Sequence, residues 1–309
     1  MPAMHATPAP MRLTVFSPSG YVTDRLALER ALERLRTLGF DARRDRAAMA
    51  RRQRFAGSDE QRLAAIHRVA DEAPSIAMAT RGGYGLTRLL DGIAWKKLAK
   101  SVERGTRWVG LSDFTALQLG LLAHTGAPSW AGPCATEGFG RTDEAGGMDD
   151  VTADCFAEAM RGELEAVGFR SEAGFDGLEV RGTLWGSNLA MVCSLVGTPH
   201  MPAVRGGVLF LEDVNEHPYR LERMLLQLLQ AGVLGAQKAI VLGQFDAWTP
   251  QPNDRGYGLK AMVAHLRSRT KVPILTGLPF GHVPTKVTLP IGRRVTLAVQ
   301  GRQAFIGWG

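Results

Sequence analysis

Three apolar runs in the N-terminal part of the chain end at a loop of small residues, and each leads straight into a helical pattern. Residues 13–16 run into Ser17-Pro18-Ser19-Gly20. Thr23 or Asp24 then caps a helix with Leu28, Leu32 and Leu35 on one face, and Gly39 stops it. Residues 76–79 run into Arg81-Gly82-Gly83-Tyr84-Gly85, with a helix expected from Leu86. Residues 108–111 run into Ser112, with a helix expected over 115–122. Strands that alternate with helices imply an α/β fold with a mostly parallel sheet. In such sheets functional groups gather outside the carboxyl ends of the strands. The glycine loop and Ser112 both belong there.

The 309 residues suggest two domains or one large one. A boundary is expected within residues 162–176, giving parts of 12–168 and 169–309 after a disordered tail of 1–11. A loose stretch over 138–148 and a helix over 152–160 precede the boundary. Beyond it, strands are expected near 178–182, 208–212, 239–242 and 272–275. Residues 286–306 alternate apolar and polar around glycine turns, which reads as antiparallel strands.

No apolar run reaches the length of a membrane span, and the start lacks a signal-peptide core. Cys134, Cys155 and Cys193 are few and widely spaced, which suggests free thiols in the cytoplasm rather than a disulfide framework or a zinc site. The net charge is +7, and much of it falls between Arg25 and Arg62. Acids interleave with these arginines, so a solvated helix surface explains them better than nucleic-acid binding.

Ser112 at the strand-to-helix junction reads either as a helix cap, with Asp113, or as a nucleophile near free N–H groups that stabilise an oxyanion. The turn at 81–85 lacks the Lys-Ser/Thr of a P-loop. It is either a structural turn or a source of bare N–H groups. Glu212 ends an apolar run and either serves the helix starting near Pro218 or orients a histidine. His282 follows another strand end. Serine, glutamate and histidine at three strand ends are the parts of an activated nucleophile. The order Ser-Glu-His is also that of α/β-hydrolases, but Phe114 breaks their Gly-x-Ser-x-Gly elbow.

Four segments together resemble the LD-carboxypeptidase family of serine peptidases, also called muramoyltetrapeptide carboxypeptidases. They are Arg81-Gly82-Gly83-Tyr84-Gly85, Gly110-Leu111-Ser112-Asp113-Phe114-Thr115, Leu209-Phe210-Leu211-Glu212-Asp213 and Gly281-His282. The stretches 210–220 and 277–282 are especially specific, and the likeness covers nearly the whole chain. The resemblance implies Ser112 as nucleophile, Glu212 as triad carboxylate and His282 as base. It implies the backbone N–H groups of Gly83 and Asp113 as oxyanion donors. It further implies an N-terminal parallel α/β domain and a smaller C-terminal α+β domain of β-barrel character. The implied substrate is a murein tetrapeptide that loses its terminal D-alanine during cytoplasmic peptidoglycan recycling. A homodimer is implied, with no metal, organic cofactor, nucleic acid or membrane partner.

Arg81 borders the oxyanion turn and is a candidate for the terminal carboxylate, with a surface salt bridge as the alternative. A related branch hydrolyses peptidyl-nucleotide antibiotics of the microcin C type. For that branch Trp185 is a candidate to stack on a base, with packing on the substrate stem or in the core as the alternatives. Gly186-Ser187-Asn188 departs from the family's Gly-Gly-Asn, which bears on local loop geometry. Two remoter alternatives are a metallopeptidase built on Glu212, Asp213, Glu216 and His217, and a non-enzymatic nucleic-acid-binding protein.

Overall fold

The computed structural model describes residues 10–309, so most of the tail expected over 1–11 lies outside them. Two sheets organise the chain. The first has six strands: β1 (Arg12–Phe16), β2 (Asp41–Arg44), β3 (Ile76–Ala79), β4 (Arg107–Gly110), β5 (Ser129–Ala131) and, from the far end of the chain, β11 (Leu289–Ile291). Their order is β11-β5-β4-β3-β1-β2. All pairs are parallel except β11 with β5. The inner strands are buried on both faces, which is why they read as unbroken apolar runs.

Helices cover this sheet. α1 (Arg25–Thr37) is capped by Asp24, whose carboxylate accepts from Leu26 N at 2.8 Å. α2 (Asp59–Glu72) opens with a reciprocal Ser58/Gln61 capping box. The helix expected from Leu86 is instead a pair of 3₁₀ turns, Leu86–Arg88 and Leu90–Gly92. Leu86, Leu89, Leu90 and Ile93 are all buried, and a spacing of three suits the tighter helix. The regular helix follows later, as α3 (Trp95–Glu103). α4 (Thr115–Thr125) is buried along most of its length, and α5 (Asp150–Arg161) is capped by Asp149.

The second sheet is mixed and has seven strands in the order β10-β9-β8-β7-β12-β13-β6. These are β6 (Ala166–Arg170), β7 (Glu179–Asn188), β8 (Val208–Val214), β9 (Ala239–Asp246), β10 (Ile274–Leu275), β12 (Arg294–Gln300) and β13 (Gln303–Gly307). β7 to β10 are parallel neighbours, while β12, β13 and β6 run antiparallel. α6 (Leu189–Leu195), α7 (Pro218–Gln230) and α8 (Leu259–Arg269) pack on it. β7 extends six residues beyond the expected end at 182, so Trp185 and Asn188 belong to a strand. The strand expected over 272–275 shortens to its last two residues. No described helix is long and apolar enough to cross a membrane.

Candidate active site

Ser112 follows β4 and opens a 3₁₀ turn, Ser112–Phe114, that runs into α4. Its φ is +66°, in the left-handed region that non-glycine residues avoid. Gly110 makes the turn possible, because a Cβ there would lie 2.5 Å from the Phe114 ring. That ring folds under the turn and meets Phe16 edge-on at 6.1 Å. The packing explains why phenylalanine stands where a hydrolase elbow has glycine. Neither the Ser112 nor the Asp113 side chain caps the helix. Asp113 is buried and accepts from Ser19 Oγ at 2.7 Å and from Leu86 N at 2.8 Å. It thereby ties the loops after β1, β3 and β4 together. Burial raises its carboxyl pKa, and these hydrogen bonds oppose the rise.

The 81–85 turn presses against the serine. A Cβ on Gly82 would lie 2.5 Å from Ser112 Cβ and 2.8 Å from Oγ. Only glycine leaves room for that approach. Gly83 follows at φ +85°. The N–H groups of Gly83 and Asp113 donate to no acceptor among the described residues. The turn is braced from α2 by the fully buried Arg62, which donates to Pro18 O at 3.1 Å and Gly85 O at 2.8 Å and pairs with Asp59.

Glu212 lies on β8 with no exposed surface, and His282 lies in the loop between β10 and β11. His282 Nδ1 donates to Glu212 Oε2 at 2.7 Å. The other carboxylate oxygen accepts from Asn188 Nδ2 at 3.1 Å, and the same amide reaches Asp213 Oδ1 at 3.2 Å. The loop is fixed by main-chain contact. Gln244 N donates to Phe280 O at 2.8 Å, and Phe280 packs edge-on against Phe210 at 5.2 Å. Gly281, at φ +150°, lets the chain pass beside the carboxylate.

Burial alone pulls the His282 imidazole down. Its bond to Glu212 and the charges of Glu212, Glu137 and Asp213 outweigh that, and its pKa is raised overall. Asp213 is pushed up to about 6, first by burial and then by the Glu212 charge. α7 takes its cap from His217, not from Glu212. His217 pairs with Asp254 at 3.0 Å and Glu216 with Arg220, so these acids and the imidazole do not converge with Glu212 and Asp213 on one point.

Leu111, Glu137, Arg141, His282, Val283, Pro284 and Lys286 line a cleft of about 280 Å³. His282 therefore shares a wall with the residue that precedes Ser112. No hydrogen bond joins Ser112 to His282 in this structure. A larger depression of about 710 Å³, between Asp71 and the lysines of α3, contains no group suited to acyl transfer.

Arg81 leans on Glu137, with Nε 3.7 Å from Oε1, and donates to Tyr21 O at 3.4 Å. It does not line the cleft, so the salt bridge describes it better than the carboxylate contact. Trp185 is 1% exposed, and its indole N–H donates to Gln237 Oε1 at 3.0 Å. Such a ring offers no face for a base, so the stacking expectation gives way to core packing.

The sequence motifs include Gly82 and Asn188 without a role for either, and Arg62 stood out only as part of a charged region. Asn188 carries a readable signal, an Asn just before an apolar helical run. It does cap α6, accepting from Met191 N at 3.1 Å. Its second task, bridging two buried acids, has no local signature.

Comparison with known proteins places the chain in a family. The LD-carboxypeptidase N-terminal domain matches residues 13–132 and the LD-carboxypeptidase C-terminal domain matches residues 181–297. The chain is 32% identical to the murein tetrapeptide carboxypeptidase of Pseudomonas aeruginosa, over 93% of this chain and 92% of that one. The crystal structure of muramoyltetrapeptide carboxypeptidase from Oxalobacter formigenes superposes with a TM-score of 0.87 at 41% identity, covering 96% of this chain and 98% of that one. The self-immunity protein MccF in complex with aspartyl sulfamoyl adenosine shares the fold, with a TM-score of 0.85 at 21% identity over 97% of both chains. The two domain matches and the identity to full-length relatives lead to one conclusion: this chain belongs to the LD-carboxypeptidase family, a family of serine-type carboxypeptidases.

Proposed function

We propose that this protein releases the terminal D-alanine of murein tetrapeptides through an acyl-enzyme formed on Ser112. The observation that carries the reading is the 2.7 Å Glu212–His282 pair in a cleft shared with Leu111, beside a serine held at positive φ. The names of the Pseudomonas and Oxalobacter relatives supply the substrate class.

A serine hydroxyl is too weak an acid to attack unaided. His282 takes its proton through Nε2, while Glu212 fixes the Nδ1–H tautomer and stabilises the imidazolium. Ser112 Oγ adds to the penultimate carbonyl, and the oxyanion meets the N–H groups of Gly83 and Asp113. The C–N bond then breaks, and His282 returns the proton to the departing D-alanine nitrogen. Water, deprotonated by the same imidazole, hydrolyses the ester and frees the shortened peptide. We assign the reaction to cytoplasmic murein recycling, where the three free cysteines suit a reducing compartment. A peptidyl-nucleotide substrate draws no support from the buried Trp185.

The test is incubation of the purified protein with a murein tetrapeptide and, separately, a peptidyl-nucleotide, with mass spectrometry of the products. Free D-alanine and the matching tripeptide are expected from the first. Cleavage of the peptidyl-nucleotide alone would favour the self-immunity activity instead.

A further inference from the structure

Lys286 is a cation of the His282 cleft without a counter-ion among the described residues. It is 4% exposed. Among the described residues its Nζ meets only the Pro284 carbonyl, at 3.3 Å. An ammonium has three donors, and a buried charge left unpaired is costly. Burial lowers its pKa; the charges of Glu137 and Asp149 act against that shift and Arg141 adds to it. Arg141 lines the same cleft, and its guanidinium is held by the Ala145 carbonyl. Glu137 is the acid of the cleft, and Arg81 already engages it. The cleft thus has an excess of positive charge beside the base.

The loop that carries these groups is held in place. Lys286 N donates to Thr152 Oγ1 at 2.8 Å, and Thr152 Oγ1 donates to Pro284 O at 2.9 Å. Thr285 Oγ1 donates to Asp149 Oδ2 at 2.7 Å. The N-terminus of α5 therefore fixes residues 284–286 of the His282 loop. The base that receives the serine proton returns it to the leaving nitrogen, so the departing residue lies on the His282 side. In an amino acid the carboxylate is separated from that nitrogen by a single carbon. From His282 the chain runs on through Val283 and Pro284 to Lys286, and all four residues line the cleft.

We propose that Lys286, with Arg141 beside it, receives the α-carboxylate of the departing C-terminal residue and so restricts the site to free chain ends. The assignment rests on the acyl-transfer reading above and adds the group that selects the substrate's terminus.

The test compares kcat/KM of the full chain for a free-acid tetrapeptide and for its C-terminal amide, in native protein, Lys286→Met and Lys286→Arg. The native protein is expected to prefer the acid by about 10- to 100-fold, the usual range for a charge-assisted hydrogen bond. Lys286→Met should bring that ratio close to one, chiefly through KM, and Lys286→Arg should recover part of it. A purely structural lysine would alter both substrates equally and leave the ratio intact, which overturns the assignment. Equal cleavage of acid and amide by the native protein overturns it without any variant. Should Lys286→Met fail to fold by circular dichroism, Arg141→Ala must still reduce the preference several-fold. Cleavage of neither substrate by the native protein removes the acyl-transfer reading itself, and the assignment with it.

Discussion

Ser112 holds a backbone conformation that costs a non-glycine residue about 1–2 kcal/mol. Such a conformation persists only where neighbours over-determine it, and here Gly82, Phe114 and Asp113 do so. The imidazole proposed as its base makes a pH prediction. His282 must be neutral to accept a proton, and its pKa is raised above the ordinary 6.5. The acid limb of kcat/KM should therefore have its midpoint above that value. Glu212→Gln should move the midpoint down and lower the plateau by on the order of 10³–10⁴-fold. An unchanged midpoint would separate His282 from the limb. Stability has the opposite sign: the contribution of His282 is complete below 6.5 and is lost as pH rises through its raised value. Ser187 offers a second test. It is fully buried at φ +105°, and its Oγ has no partner among the described residues. Ser187→Gly removes strain and an orphaned hydroxyl, against a greater entropy loss on folding. A net gain of about 1 kcal/mol in urea unfolding is expected. The proposed triad was legible in the sequence because Ser112, Glu212 and His282 each follow an apolar run. Asn188 escaped because its amide serves Glu212 and Asp213, which lie far from it along the chain.

At the level of elements, loops after parallel strands build the site, and their glycines decide how closely they meet. Gly82→Ala should push Ser112 aside and lower kcat by about 10²-fold, the usual cost of misplacing a reacting group by an ångström. A variant with native kcat would show that the turn yields without moving the nucleophile. The far end of α4 makes a different prediction. His124 Nε2 lies 2.9 Å from His200 Nδ1, and His200 Nε2 lies 3.0 Å from Asp91. Trp95 of α3 stacks on His124 at 5.0 Å. Burial, then the His200 charge, lowers the His124 pKa. A lowered value contributes stability above the ordinary 6.5 that is lost as pH falls through the folded value. His124→Gln should therefore lose less melting temperature than the native protein between about pH 7 and pH 5. Equal losses would rule out His124 as the source. Long periodic helices such as α1 were readable. β2, β5 and β6 were not, since strands of only three to five residues carry too little pattern to separate from loop.

Over the whole molecule, alternating strands and helices announced the parallel sheet, but not that the chain returns to it. β11 leaves the loop of His282 and closes the first sheet against β5. Trp308 near the C-terminus meets Trp130 at 6.2 Å. A fragment spanning residues 12–168 would lose both contacts and expose the edge of β5. It should unfold without a cooperative transition; a sharp two-state melt would show that the first sheet stands alone. The same return brings His282 into a cleft it shares with Leu111, next to the proposed nucleophile Ser112 in the chain, so folding and the proposed chemistry share one connection. The decisive measurement is the rate of D-alanine release from murein tetrapeptide by Ser112→Ala against native protein, with melting followed in parallel. The account predicts a fall of on the order of 10³-fold or more with the melting temperature retained. A variant that keeps its rate to within about tenfold while folded would contradict it.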